Sequence, residues 1–128
     1  MRGIIRAGLG NVQPSRGAAR VRNDPNFVAA VKKTGWMNFI MAGVTTDVCL
    51  VYPTISAVRE GFNVQAVMDA SGSPFDISEE MARRRMENEG VVLTATNTLM
   101  AELAQDWSRP EGGQLLGILF NEVLPKIG

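Results

Sequence analysis

Three short, largely apolar runs limit what this chain can fold into. They are WMNFIMAG (residues 36–43), FNVQAVMD (62–69) and VVLTAT (91–96). All three read as strands, and those at 36–43 and 91–96 as strands covered on both faces. The segments between them carry apolar residues at helical spacing: NFVAAVKK before the first run, then TDVCLVYPTISAVREG, ISEEMARRRMENE and NTLMAELAQDW, with EGGQLLGILFNEVLP last. Helix, strand, helix, strand, helix, strand, helix, helix is the order of an α/β fold built on a parallel sheet. The runs at 36–43 and 91–96 are expected as its interior strands.

Local signals set the boundaries. Asp24 is placed to cap a helix that starts at Pro25, and Gly35, Gly61 and Gly90 stand where helices should stop. Asp76 and Glu79 have capping-box spacing at the start of the third helix. Pro53 must lie in a first turn or kink its helix. Residues 1–22 are irregular: GIIRAG has room for a very short strand, and the GLGN at 8–11 is too short for a phosphate-binding loop and precedes no convincing helix. The whole chain, 1–128, reads as one domain without a linker. Three strands make a narrow sheet whose edges need cover, which favours a homo-oligomer.

Composition removes several functions. Thirteen basic and thirteen acidic residues give zero net charge, which argues against nucleic acid or an anionic membrane as partner. Histidine is absent, so neither a Cys2His2 zinc site nor a Ser-His-Asp triad can be assembled. No apolar run reaches membrane-spanning length. One cysteine means no internal disulfide and suits a reducing compartment, so a cytoplasmic protein is expected. Arg83, Arg84 and Arg85 have i,i+4 partners in Glu79, Glu80 and Glu89, the pattern of a salt-bridged surface rather than a nucleic-acid patch. Trp36 and Trp107 read as core or interface packing before pocket lining, the methionines mostly as core, and Leu115–Val123 as an apolar stripe suited to subunit packing.

The single thiol, Cys49, falls just after the end of the first apolar run, within the first turn or so of a helix. Reactive groups of open α/β sheets gather at the carboxyl ends of strands. Free amides at a helix N-terminus favour a thiolate and can hold an oxyanion during acyl transfer. Gly43 would let the backbone turn sharply, and Thr45, Thr46 and Asp47 are good capping types. A lone cysteine is also commonly an inert core residue. A nucleophile needs a base, and the strand-end carboxylates are Asp47, which reads first as a cap, and Asp69, which equally reads as the organiser of a DASGS turn.

The stretch AGVTTDVCLVYPTISAVREGFNVQAVMDASGSP resembles the isochorismatase-like cysteine hydrolase superfamily, most of all its bacterial branch of small hydrolases. The likeness lies in the AGV-T-D-VC elbow, the PTISAV helix, the EGF turn and the strand ending VMDASG. It continues through Arg84-Arg85-Met86, GVVLT and the AEL-x-x-DW helix, from about Asn23 to Pro125. The resemblance implies a three-layer α/β/α sandwich with a parallel, Rossmann-like sheet, and a triad of Asp, Lys or Arg, and Cys. It implies attack on an amide or related acyl carbonyl of a small molecule, through a thioester. It makes Cys49 the nucleophile, places a cis peptide at Val44–Thr45, and gives the oxyanion to the N–H groups of Thr45 and Cys49. No cofactor is implied, and no metal, because zinc-binding members use histidines.

The departures are as informative. The N-terminal third of the family pattern, with the strand whose end carries the triad Asp, has no counterpart in MRGIIRAGLGNVQPS. Counting back from Phe27 to the basic triad position lands on Ser15, and a one-residue gap puts Arg16 in the role; the plainer reading of Arg16 is a solvated loop arginine. The expectation is therefore a cysteine hydrolase of the family with impaired activity. Its rivals are a non-catalytic oligomeric scaffold or binding subunit that keeps the fold, and a small thiol redox sensor.

Overall fold

The computed structural model of the protein describes residues 25–124. The expected cap at Asp24, the strand in GIIRAG, the GLGN turn and Arg16 lie outside the described residues. Within them the chain runs α1 (Pro25–Lys33), β1 (Asn38–Met41), a wide turn (Thr46–Leu50), α2 (Val51–Arg59), β2 (Asn63–Val67), a single 3-10 turn (Met68–Ala70), α3 (Asp76–Asn88), β3 (Val92–Thr94), α4 (Thr96–Ala104) and α5 (Pro110–Ile118), which ends in a second wide turn (Leu119–Val123).

The helix stops are those the glycines announce. Gly35, Gly61 and Gly90 all have positive φ, at 73°, 94° and 92°, a region that costs glycine nothing. After Gly61 the Phe62 N–H donates to the Ala57 carbonyl at 3.0 Å, and after Gly90 the Val91 N–H donates to Met86 at 3.0 Å. Each bond closes its helix with a left-handed cap and launches the next strand. Both connections therefore run straight from helix into sheet.

All pairing is parallel, in the order β1-β2-β3. Phe39 lies opposite Val64 and Met41 opposite Ala66, while Ala66 lies opposite Leu93. Successive residues of a strand face opposite sides, and β2 shows what covers each. Val64 and Ala66 are buried in one cluster with Leu50, Val51 and Ile55 from the α2 side and Ala82 and Met86 from α3. Gln65 points the other way and donates to Glu102 of α4 at 2.9 Å. Helices thus lie on both faces, and the protein is a three-layer α/β/α structure around a parallel sheet.

Several sequence expectations are corrected. Among the described residues β2 is the central strand, while β1 and β3 are edges, although their apolar runs predicted interior strands; the pattern reports coverage of the two faces, not the number of paired edges. The capping box does not form. Phe75 is the residue before α3, and the Glu79 carboxylate instead accepts from Ser73 at 2.7 Å. Arg83–Glu79 and Arg84–Glu80 pair as expected, at 3.4 and 2.6 Å. Glu89 does not take Arg85 but Arg59, at 2.7 Å, because the ends of α2 and α3 meet. Trp36 and Trp107 are not core; both are exposed.

Two substitutions probe this packing. Met86 is fully buried in the α2–α3 cluster, so Met86→Ala should cost about 2–5 kcal/mol, read as a lower urea midpoint. Gly112 needs its missing side chain: a Cβ there would collide with the Asp106 carbonyl and approach Trp107 Cα to 2.8 Å. Gly112→Ala should destabilise by about 1–3 kcal/mol, whereas Gly113→Ala, with open space around it, should not.

Candidate active site

Because β1 and β2 are parallel neighbours, the segments leaving their carboxyl ends emerge side by side. The 3-10 turn of Met68–Ala70 uses up three residues before the second segment runs on, so Val44 comes to lie against Gly72 in an isolated parallel bridge. Contacts then follow residue by residue. The Gly43 N–H donates to Ser71 Oγ at 3.1 Å, and the Ser71 hydroxyl donates to the Val67 carbonyl at 2.8 Å. The Thr46 N–H donates to the Gly72 carbonyl at 3.0 Å. The Asp47 N–H donates to Ser73 Oγ at 3.2 Å. The ASGS loop is a template on which the elbow is laid.

The elbow itself is irregular for a reason written in the sequence. Pro53 falls in the first turn of α2 and has no N–H to offer the Cys49 carbonyl, so regular helical bonding cannot run back through Cys49. The segment Thr46–Leu50 widens into an i→i+5 turn instead, closed by the Leu50 N–H on the Thr45 carbonyl at 3.3 Å and the Val51 N–H on Thr46. Thr45 precedes the turn in extended conformation, and the Val44–Thr45 peptide is cis. Gly43 does not use a left-handed conformation, and a Cβ there would meet only ordinary contacts, the nearest Cys49 O at 3.8 Å. The expectation that Gly43 frees a sharp turn is corrected.

Cys49 is exposed and unpaired, and it sits at the sheet's carboxyl edge. Its own amide donates to the Thr45 carbonyl at 2.8 Å, and the Val48 N–H shares that acceptor at 3.4 Å. The amides from Thr46 to Leu50 are therefore all engaged, and the Cys49 amide, one of the two expected oxyanion donors, is bonded to the Thr45 carbonyl. The fully buried Thr46 hydroxyl has no partner among the described residues.

Neither nominated carboxylate is a free base. Asp69 caps α4: Oδ1 accepts from the Thr96 N–H and hydroxyl, both at 2.9 Å, and Oδ2 lies 3.1 Å from the same N–H. It does the capping that Ala95, with no polar side chain, cannot do. Asp47 is held below the ordinary carboxylate range, chiefly by a hydrogen bond from the Thr45 side chain, and its Oδ1 is shielded from solvent without a partner among the described residues. It stands as an anion two residues from the thiol. A carboxyl so held is a weak proton acceptor, and its charge opposes that of a thiolate. The sequence did not disclose Ser71, Ser73 and Glu79 as parts of the site; the strand-end position of ASGS was the available signal. Among the described residues no cluster of acidic and cysteine side chains could hold a metal ion.

Comparison with known proteins agrees with this geometry. The isochorismatase domain family matches residues 18–98. The probable hydrolase YcaC of Escherichia coli is 39% identical over 103 residues, covering 80% of this chain and 49% of that protein. Two solved structures illustrate the similarity. YcaC from Pseudomonas aeruginosa, solved with hexane-2,5-diol and covalent acrylamide, has a TM-score of 0.73 and 42% identity, over 79% of this chain and 51% of its own. The Escherichia coli YcaC product, described as an octameric hydrolase of unknown specificity, has a TM-score of 0.75 and 38% identity, over 81% and 50%. The chain spans about half the length of these relatives. An elbow carrying a single exposed thiol, laid on a DASG loop at the carboxyl edge of a parallel sheet, together with the matched residues 18–98, identifies this chain as a member of the isochorismatase domain family.

Proposed function

We propose that the protein carries the nucleophile half of a cysteine hydrolase acting on an amide or related acyl bond of a small molecule in the reducing cytoplasm. The observation that carries this reading is the exposure of Cys49 at the strand-end elbow. In the reaction the Cys49 sulfur adds to the carbonyl carbon, the amine leaves with a proton, and water hydrolyses the thioester to release acid and thiol. Thr45 and Cys49 are the proposed oxyanion donors, with Val44 and Thr45 at the cis peptide that forms the corner. For the Cys49 amide to serve, the incoming oxyanion must share or displace its bond to the Thr45 carbonyl. Arg16 is the proposed charge partner. With Asp69 committed to α4 and Asp47 a poor acceptor, neither nominated carboxylate is free to act as the base, and turnover by this chain alone is expected to be weak. The covalent acrylamide on a relative 42% identical to this chain supports an accessible nucleophile in this architecture.

The engaged amides and committed carboxylates favour a second reading, in which the chain keeps the fold as a non-catalytic oligomeric scaffold. Acrylamide separates the two. The hydrolase reading expects one adduct, at Cys49, formed at least tenfold faster at pH 7 than on the urea-unfolded chain, and slow hydrolysis of small amides that Cys49→Ala abolishes. Equal rates folded and unfolded would favour the scaffold. Asp69→Ala should cost about 1 kcal/mol by removing the α4 cap and leave the rate of Cys49 modification unchanged; a loss of turnover without loss of stability would restore Asp69 as the base.

A homo-oligomer is proposed as well. Phe75, Ile77, Val92, Ile118 and Phe120 are all more than half exposed, an apolar load that subunit contacts would cover. One of the relatives is described as octameric. Sedimentation velocity should give a discrete species larger than 13.9 kDa; a monomer at micromolar concentration would refute it.

A further inference from the structure

Among the amides of the wide turn, Thr46 to Leu50, the Asp47 N–H is the one taken by a side chain of another element instead of a backbone carbonyl. Its acceptor is Ser73 Oγ at 3.2 Å. The acceptor belongs to a different part of the chain, the loop between β2 and α3, and is itself fixed. The Ser73 hydroxyl has one proton, and a carboxylate can only accept. The 2.7 Å contact to Glu79 Oε2 therefore directs that proton onto Glu79 and leaves the oxygen lone pairs facing the Asp47 amide. Glu79 is in turn anchored: its other oxygen, Oε1, lies 3.4 Å from Arg83 Nε, and its side chain is only 20% exposed. Thr45, the residue before the turn, makes no capping bond with its side chain, so within the elbow the competing acceptor near this amide is the carboxylate of Asp47 itself.

We infer that Ser73, oriented by Glu79, is a positioning residue for the Cys49 elbow. The chain of donors runs in one direction, from amide to hydroxyl to carboxylate, and each bond polarises the next. It ends on a charge shielded from water on one side. By fixing the Asp47 amide it fixes the Thr46–Asp47 peptide plane, the start of the path that runs through Val48 to Cys49, and with it the direction in which the thiol leaves the turn. Ser73 touches no reacting atom in this arrangement. Its part is to hold the first turn of the elbow against the ASGS loop, as Ser71 does for Gly43 one step earlier. Glu79 thereby acquires a role in the site in place of the capping box its spacing suggested. The catalytic consequence rests on the reading of Cys49 as the nucleophile; the ordering of the elbow does not.

The experiment uses the full 128-residue chain and two readouts. The first is amide hydrogen exchange at Asp47, with the Thr46 amide, bonded to the Gly72 carbonyl, as internal reference. Ser73→Ala should lower protection at Asp47 at least tenfold relative to Thr46, Ser73→Thr should restore it to within about threefold, and Glu79→Gln should fall between. The second is the rate of Cys49 modification by iodoacetamide at pH 7, which should drop at least threefold in Ser73→Ala and recover in Ser73→Thr. Unchanged Asp47 protection in Ser73→Ala overturns the inference, as does equal loss in the Ala and Thr variants. If Ser73→Ala does not fold, the comparison of wild type with Glu79→Gln decides alone, and equal Asp47 protection there overturns the orienting role. If the wild-type thiol reacts no faster than the unfolded chain, the nucleophile reading fails while the exchange data still decide on Ser73.

Discussion

The site depends on a seam between two loops. Residues 71, 72 and 73 meet residues 43, 44 and 46, and 47 in order, by hydrogen bonds of 3.0–3.2 Å and one parallel bridge. The seam is possible only because β1 and β2 are adjacent and parallel, so that their carboxyl ends open on the same edge. It continues the sheet's pairing beyond the sheet, with serine hydroxyls taking the amides that strand carbonyls no longer reach. Ser71 turns its hydroxyl back to the Val67 carbonyl while accepting from Gly43, and the backbone of Gly72 lies against that of Val44. The placement of Cys49 follows from the elbow being held at this seam.

The same topology explains where the chain is firm and where it is bare. Leu50 and Val51, immediately after Cys49, are fully buried against β2 and α3, so the elbow is fastened by apolar burial at one end and by the seam at the other. Phe39 and Phe62 stack at 4.3 Å where α2 hands over to β2. In contrast, Val44 and Val48 of the elbow, and Phe75 and Ile77 at the start of α3, are exposed. These are neighbours in the chain of the residues that make the seam. The apolar surface therefore borders the thiol, and any cover for it, whether substrate or subunit, would also desolvate Cys49 and strengthen the electrostatics of the elbow.

Much of the fold was legible because its signals are local. Glycines at positions 35, 61 and 90 mark helix ends through backbone conformation alone, and the apolar runs mark strands through coverage of both faces. Signals that depend on a partner were read less well. Glu79 and Asp76 have the spacing of a capping box, yet Glu79 is claimed by Ser73, and Glu89 by Arg59 instead of Arg85. Spacing within a helix cannot reveal a competitor brought from another element by the fold. The elbow shows the same division. Cys49 at a strand end, the cis peptide position and the DASG loop could be named from the sequence and its family likeness. That the elbow amides would all be engaged could not, because two of their acceptors, Gly72 and Ser73, are brought by another element and the other three amides converge on the Thr45 carbonyl in a wide turn.

This last point bears on the chemistry. A helix N-terminus stabilises an anion through donors that lack partners. Here Thr46 gives its donor to Gly72, Asp47 to Ser73, and Val48, Cys49 and Leu50 converge on the single carbonyl of Thr45. A carbonyl accepting three N–H groups, at 3.4, 2.8 and 3.3 Å, satisfies none of them fully, since it has only two lone pairs. A substrate oxyanion, carrying a full charge, is a stronger acceptor than a neutral carbonyl and would compete well for the Cys49 donor. On the proposed hydrolase reading, the Cys49 amide would thus be drawn to the oxyanion as negative charge develops and not before. Such a preference for the transition state over the ground state is what the proposed acyl transfer would require, and on that reading it would reside in the backbone of Thr45–Leu50.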